Sequence, residues 1–303
     1  MERVLSFRAD CFADDVAVTE EMTAWTDAQL CAFFESGGQT VPTELANTSC
    51  ATGAEALPPP KLPLRFLSLH GGGTSANVNK MQMSRMLKAL KDKLGTSSIE
   101  CDFLQGTREW KGSKDPMLER MFPGEPFFGW YGVEHGAKAD SGPEYVDALL
   151  DPNVSFTYID HEKALDALDE QIERHGPYDG LIGFSQGAIV ITMGTARRLE
   201  RAAKGLGPPP TWRVNVLMSA LAPRGAPYAC MMPEPATPPI ANLPAICIAG
   251  AKDHFLRAIE KNRKIYGNLK WFDHSGGHEP PREPQVVADV ADAIASACGL
   301  VSP

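Results

Sequence analysis

The 303-residue sequence has no apolar run that approaches the ~20 residues needed to cross a bilayer, so no helical membrane span is expected. It has no basic excess: 29 Lys and Arg stand against 38 Asp and Glu, a formal net charge of −9. Binding to nucleic acid or to an anionic membrane surface needs a cationic patch, so neither is expected as the main partner. Cysteine is sparse, with seven dispersed residues and no C-x-x-C pair. An odd, scattered set suggests reduced thiols in a cytosol-like compartment, and the protein is expected to be cytoplasmic. No cysteine sits in a recognisable catalytic turn. Residues 1–15 carry Glu2, Asp10, Asp14 and Asp15 without a long apolar core, unlike a secretory signal. The chain also lacks G-x-G-x-x-G, a G-K-[ST] after its glycine run, and H-E-x-x-H. Phosphate-loop, dinucleotide and zinc-hydrolase readings therefore find no support, and no cofactor or metal is expected. What remains is the composition of a globular protein, 43% hydrophobic and 22% charged.

The most informative stretch is Leu181-Ile182-Gly183-Phe184-Ser185-Gln186-Gly187-Ala188. Residues 178–182 read as a short strand and 188–200 as a helix. Between them lies the G-x-S-x-G spacing of a nucleophile elbow. The requirement is steric: side chains two before and two after the serine would collide in so tight a turn, and glycine has none. The turn lifts the Ser185 hydroxyl above the sheet edge and aims backbone N–H groups and the helix N-terminus at the same spot. The pentapeptide alone also fits an ordinary turn; strand before and helix after favour the elbow.

Residues 1–60 read as an N-terminal extension, with a candidate amphipathic helix at 26–36 and Pro58-Pro59-Pro60 as a boundary. The main domain, 61–303, alternates strands (64–69, 99–104, 154–159, 178–182, 212–218, 243–249, 269–272) with helices (79–94, 161–175, 188–200, 255–266, 283–298). That alternation predicts an α/β fold with a mostly parallel sheet and helices on both faces. An insertion at about 105–152 is rich in Gly and Pro and carries Trp110, Phe122, Phe127, Phe128, Trp130 and Tyr131. So many aromatics predict a cap or apolar pocket wall, suited to a short-to-medium acyl group.

A serine nucleophile needs a base, the base an orienting acid, and the oxyanion its donors. Asp253 follows one strand after the elbow and His278 follows the next, giving the order Ser, Asp, His in loops at the carboxyl ends of strands. His254 and His274 compete with His278; Gly276-Gly277 gives the backbone freedom to place His278. The expected oxyanion donors are the backbone N–H of Gln186 and one from His70-Gly71-Gly72-Gly73, Gly72 first and then Gly73. His70 itself reads as structural.

Leu69-His70-Gly71, Cys101-Asp102-Phe103, Gly183-Phe184-Ser185-Gln186-Gly187, Ala249-Gly250-Ala251-Lys252-Asp253 and Gly277-His278 together resemble the eukaryotic FSH family of serine hydrolases, over about residues 64–298. The resemblance implies an α/β-hydrolase fold, a Ser185–Asp253–His278 triad and hydrolysis of a small-molecule carboxylic ester or thioester through an acyl-enzyme. It also implies the alternative of a thioesterase that releases an acyl or polyketide chain from an acyl carrier. A hydrolase-like protein that only binds a small ligand is the non-enzymatic alternative.

Overall fold

The computed structural model describes residues 60–95, 98–112, 114–135, 142–151, 153–224, 228 and 237–300. The extension expected over 1–60, with its 26–36 helix, lies outside the described residues except for Pro60. The domain opens with β1 (Leu64–Leu69), α1 (Ala76–Leu94) and β2 (Ile99–Leu104). The insertion follows as β3 (Arg108–Glu109), α2 (Pro116–Met121), β4 (Phe128–Gly129), β5 (Gly132–His135) and α3 (Gly142–Leu150), then β6 (Phe156–Ile159). After α4 (His161–His175) come β7 (Gly180–Phe184) and α5 (Gln186–Ala203). The chain continues through β8 (Val214–Met218), β9 (Ala245–Gly250), α6 (Leu256–Ile259), α7 (Asn262–Ile265), β10 (Leu269–His274) and α8 (Pro284–Ala297).

Six strands form one sheet in the order β10-β9-β8-β7-β1-β2, and every pairing in it is parallel. Side chains alternate between its faces with the period of two that a strand imposes. Leu64 and Phe66 of β1, Ile182 of β7, Val214 and Val216 of β8, and Ile246 and Ile248 of β9 pack with Met83 and Leu90 of α1 and Val290 and Ile294 of α8. Leu67, Leu69, Leu181, Leu217 and Cys247 point the other way, toward Leu165 and Leu168 of α4 and Val190 and Ile191 of α5. Both faces are apolar because both are covered, and β7, β8 and β9 are buried along their whole length.

Two expectations are corrected. The segment at 154–159 was expected as a strand of the parallel sheet; β6 instead pairs antiparallel with β5 of the insertion, Gly132 opposite Ile159 and His135 opposite Phe156. Its residues alternate, Phe156 and Tyr158 buried and Thr157 exposed, which suits a ribbon with one wet face rather than a central strand. The single helix expected at 255–266 is split into α6 and α7. Asn262 is buried there, and its side-chain amide donates to the carbonyls of Ala220 (2.6 Å) and Ile259 (3.0 Å), taking up an acceptor at the end of α6.

From β1 the chain moves outward to β2, then returns to β7 on the other side of β1 and continues to β10. The direction of winding therefore reverses between β1 and β7. The loops after these two strands diverge, and the crevice at their carboxyl ends is where such sheets take ligands.

Candidate active site

Ser185 caps β7 with φ of 48° and ψ of −119°, a conformation that non-glycine residues avoid at a cost of about 1–3 kcal/mol. Surrounding hydrogen bonds hold it there: its N–H donates to Met218 O (2.8 Å), and its carbonyl accepts from Ala188 N–H (3.0 Å) and Ile189 N–H (3.2 Å). The two flanking glycines meet different obstacles. A Cβ on Gly183 would lie 2.5 Å from Ala188 Cα, inside the elbow; one on Gly187 would lie 2.5 Å from the carbonyl oxygens of both Leu69 and His70, at the end of β1. Gly187 thus lets α5 start hard against the neighbouring strand.

The three residues expected as a triad meet. Ser185 Oγ lies 2.9 Å from His278 Nε2, and His278 Nδ1 lies 2.9 Å from Asp253 Oδ2. The Asp253 side chain is fully buried, while that of His278 keeps 21% of its surface exposed, which suits an orienting group and a group that meets solvent and substrate. Burial alone would raise the Asp253 pKa. The hydrogen bond and charge of His278, together with the Phe255 N–H on Oδ1 (2.9 Å), outweigh it and hold the carboxyl below its ordinary value.

Backbone contacts bring the acid and the imidazole together. Ala251 N–H donates to His274 O (2.8 Å) and Lys252 N–H to Gly276 O (2.9 Å), joining the end of β9 to the loop after β10. That loop is closed by Glu283, whose carboxylate accepts from the Ser275 hydroxyl (2.5 Å) and N–H (2.7 Å); these bonds pull its pKa down to about 2. His274 is buried at the loop's base, its Nδ1 accepting from Gly276 N–H (3.2 Å). His254 is exposed and lies against Phe255, with ring centroids 3.9 Å apart. Neither competitor takes the place of His278 beside Ser185.

The glycine loop after β1 lies against the elbow. A Cβ on Gly71 would sit 3.5 Å from Ser185 Cβ, and one on Gly72 would sit 3.1 Å from Gln186 Oε1. Gly73 is committed elsewhere: its N–H donates to Phe128 O at 2.9 Å. The N–H groups of Gly72 and Gln186 have no such partner among the described residues. Gly73, the second of the two glycines expected as donors, thus has its N–H engaged by the insertion, whereas Gly72 does not.

His70 holds this loop in shape. It is fully buried, with Nδ1 donating to Gly71 O (2.7 Å) and Nε2 accepting from Gly106 N–H (2.8 Å). One donor and one acceptor fit the neutral ring, and burial pushes its pKa down to about 4. Among the described residues, no three His, Cys, Asp or Glu side chains gather so as to hold a metal ion, and no helix is long and apolar enough to cross a membrane.

A protein-family model described as Serine hydrolase (FSH1) matches residues 61–290. The chain belongs to this serine hydrolase family. Esterase FPY3 of Fusarium mangiferae is 30% identical over 246 residues, covering 76% of this chain and 95% of that protein. A dihydromonacolin L-(lovastatin nonaketide synthase) thioesterase of Aspergillus terreus is 28% identical over 137 residues, 44% of this chain and 47% of that one. A carboxylesterase of Mesorhizobium loti superposes with a TM-score of 0.47 at 15% identity, over 78% of this chain and 90% of that one. The protein is thus a serine hydrolase by family, built on a six-stranded parallel sheet.

Parts of this serine hydrolase that no sequence pattern pointed to also shape the site. The Gln186 side chain, not only its N–H, is engaged: Oε1 accepts from Trp130 N–H (2.8 Å) and Nε2 donates to Tyr131 O (3.1 Å). Trp130 Nε1 in turn donates to His70 O (2.7 Å), so the insertion is tied to both loops of the crevice. Arg224, buried after β8, donates to Val154 O (2.8 Å) and to Ala148 O near the end of α3. Tyr145 of α3 meets Phe255 edge-on at 5.9 Å, and Phe255 meets His278 at 5.3 Å, so one line of rings joins the insertion to the imidazole.

Proposed function

We propose that Ser185, His278 and Asp253 form the catalytic triad of a carboxylic ester or thioester hydrolase. The observation that carries this reading is the unbroken line from Ser185 Oγ to His278 Nε2 and from Nδ1 to Asp253 Oδ2, both steps 2.9 Å. Ser185 Oγ attacks the substrate carbonyl carbon while its proton passes to His278 Nε2. Asp253 holds the tautomer with the proton on Nδ1 and stabilises the imidazolium. The N–H groups of Gln186 and Gly72 receive the oxyanion. Collapse breaks the bond to the alcohol or thiol, which leaves with the proton from His278. Water then attacks the acyl-enzyme, giving its proton to His278, and the acid departs as Ser185 is restored.

The domain is read as residues 61–303, with the insertion at about 105–152 forming a cap over the site. The line of rings from Tyr145 through Phe255 to His278 supports an apolar wall for a short-to-medium acyl group. Thioester release from an acyl carrier is the second reading, favoured by the similarity to a thioesterase. The free thiols of Cys101, Cys247 and Cys298 support a reducing, cytoplasmic setting.

The test is labelling with a fluorophosphonate, the adduct located by mass spectrometry. A single adduct on Ser185 is expected, and Ser185→Ala should lower turnover of an activated ester by several orders of magnitude. Turnover that survives in that variant would sink the assignment. A series of ester chain lengths then reads the pocket, and an acyl-carrier thioester turned over faster than the matching free ester would favour the second reading.

A further inference from the structure

The carbonyl of Gly71 and the N–H of Gly72 belong to one peptide group, and that peptide is trans. A trans peptide is planar, with its C=O and N–H pointing in opposite directions, so whatever fixes one end aims the other. The N–H end is that of Gly72, which is half-buried and has no backbone partner among the described residues. The Gly71 end lies beside the nucleophile, where a Cβ would stand 3.5 Å from Ser185 Cβ.

The carbonyl end is held twice. His70 Nδ1 donates to Gly71 O at 2.7 Å, and the Thr74 hydroxyl donates to the same oxygen, also at 2.7 Å. The two donors take up both lone pairs of the carbonyl. Thr74 Oγ1 lies 3.2 Å from His70 Nδ1 as well, so imidazole, hydroxyl and carbonyl close a triangle. Thr74 is buried, and its backbone is bound to the insertion: Phe128 N–H donates to Thr74 O (2.7 Å) and Thr74 N–H to Phe128 O (3.3 Å). A buried carbonyl needs only one donor to be satisfied, and His70 supplies it. The second donor adds something further. It stops the peptide plane from turning between its two Cα atoms, and it draws electron density toward the oxygen, which strengthens the N–H as a donor.

We infer that Thr74 is a positioning residue for the oxyanion hole: its hydroxyl fixes and polarises the Gly71–Gly72 peptide, so that the Gly72 N–H is aimed at the point where charge develops on the substrate carbonyl oxygen. The inference rests on the proposed function, in which that N–H is an oxyanion donor. Thr74 acts through the peptide and touches no reacting atom. It also gives the insertion a route to the chemistry, from Phe128 of β4 through Thr74 to the donor.

The test compares Thr74→Val and Thr74→Ser with the parent enzyme, well below their melting midpoints, on one activated ester. Valine keeps the branched shape and loses the hydroxyl; serine keeps the hydroxyl. Thr74→Val is expected to lower kcat about tenfold, the scale of one hydrogen bond, with KM unchanged. It should weaken inhibition by a trifluoromethyl ketone, whose tetrahedral adduct with Ser185 carries the oxyanion, by the same factor. Thr74→Ser should restore both. A purely structural threonine gives a different pattern: Thr74→Val melts lower but keeps full kcat and full sensitivity to the ketone, and that result overturns the inference. If Thr74→Val does not fold, Thr74→Ala, which also lacks the hydroxyl, decides in the same way. Ser185→Ala is run in parallel. If it is inactive while Thr74→Val is fully active, only the role of Thr74 falls; if it remains active, the triad reading falls and takes Thr74 with it.

Discussion

Gly250 and Gly277 touch backbone to backbone: a Cβ on Gly250 would lie 2.1 Å from the Gly277 carbonyl oxygen. Gly250 closes β9 and Gly277 precedes His278, so this contact sets the distance between the acid's loop and the imidazole's. Gly250→Ala should push the His278 loop outward. A displacement of about 1 Å costs on the order of 10²-fold in rate, so kcat should fall by about that much, with KM little changed. Overpacking by one methyl should also cost about 1–3 kcal/mol of stability. Steady-state kinetics and thermal unfolding of the variant check both.

Asp253→Asn keeps the shape of the buried acid but presents an amide to His278 Nδ1. It should stabilise the wrong tautomer and lower kcat by about 10⁴-fold while the fold survives. Circular dichroism alongside turnover separates the two effects; activity within tenfold of the parent would remove Asp253 from the proposed triad.

His70 carries a pH dependence of stability. Its pKa is lowered from 6.5 to about 4, chiefly by burial, with the bond to Gly71 O acting the other way. Between these values the unfolded chain takes up a proton that the folded chain refuses. Stability should therefore fall as pH drops through that window, by up to about 3 kcal/mol below pH 4. His70→Gln does not titrate there, so its stability should fall less than the parent's between pH 7 and pH 4.5. Parallel losses in denaturant unfolding would assign the effect to other groups.

Gln186→Ala leaves the proposed oxyanion donor, a backbone N–H, in place. It strips Trp130 N–H and Tyr131 O of their partners. The expected loss is about 1–3 kcal/mol of stability for each buried group left unpaired, with a smaller fall in kcat than for Ser185→Ala. Unfolding curves and turnover on the same ester test this.

The elbow was legible in the sequence because strand and helix flank it directly and Gly183 is required by Ala188, five residues on, although the obstacle at Gly187 is the distant end of β1. Asp253 and His278 were legible from their places after successive strands. The strands β7, β8 and β9 stand out as apolar runs because both sheet faces are covered. What escaped depends on partners distant in the chain. The departure of β6 from the main sheet follows from pairing with β5, and only the alternation of Phe156, Thr157 and Tyr158 signals it. The engagement of Gly73 depends on the Phe128 carbonyl, and that of the Gln186 side chain on Trp130 and Tyr131, all in the insertion. No spacing rule reports such contacts. Thr74 was invisible because a threonine after a glycine run is commonplace until its hydroxyl is seen on the Gly71 carbonyl.

The groups of the proposed triad are borrowed from three strand ends, with His278 93 residues from Ser185 and 25 from Asp253. Chemistry by the proposed triad therefore needs the chain complete as far as the loop after β10. A nascent chain that has emerged only through α6 holds the proposed nucleophile and acid but not the proposed base, and should leave esters whole. Turnover would thus serve as a folding reporter: during renaturation, its recovery should track the docking of β10 on β9 rather than the earlier collapse of the core.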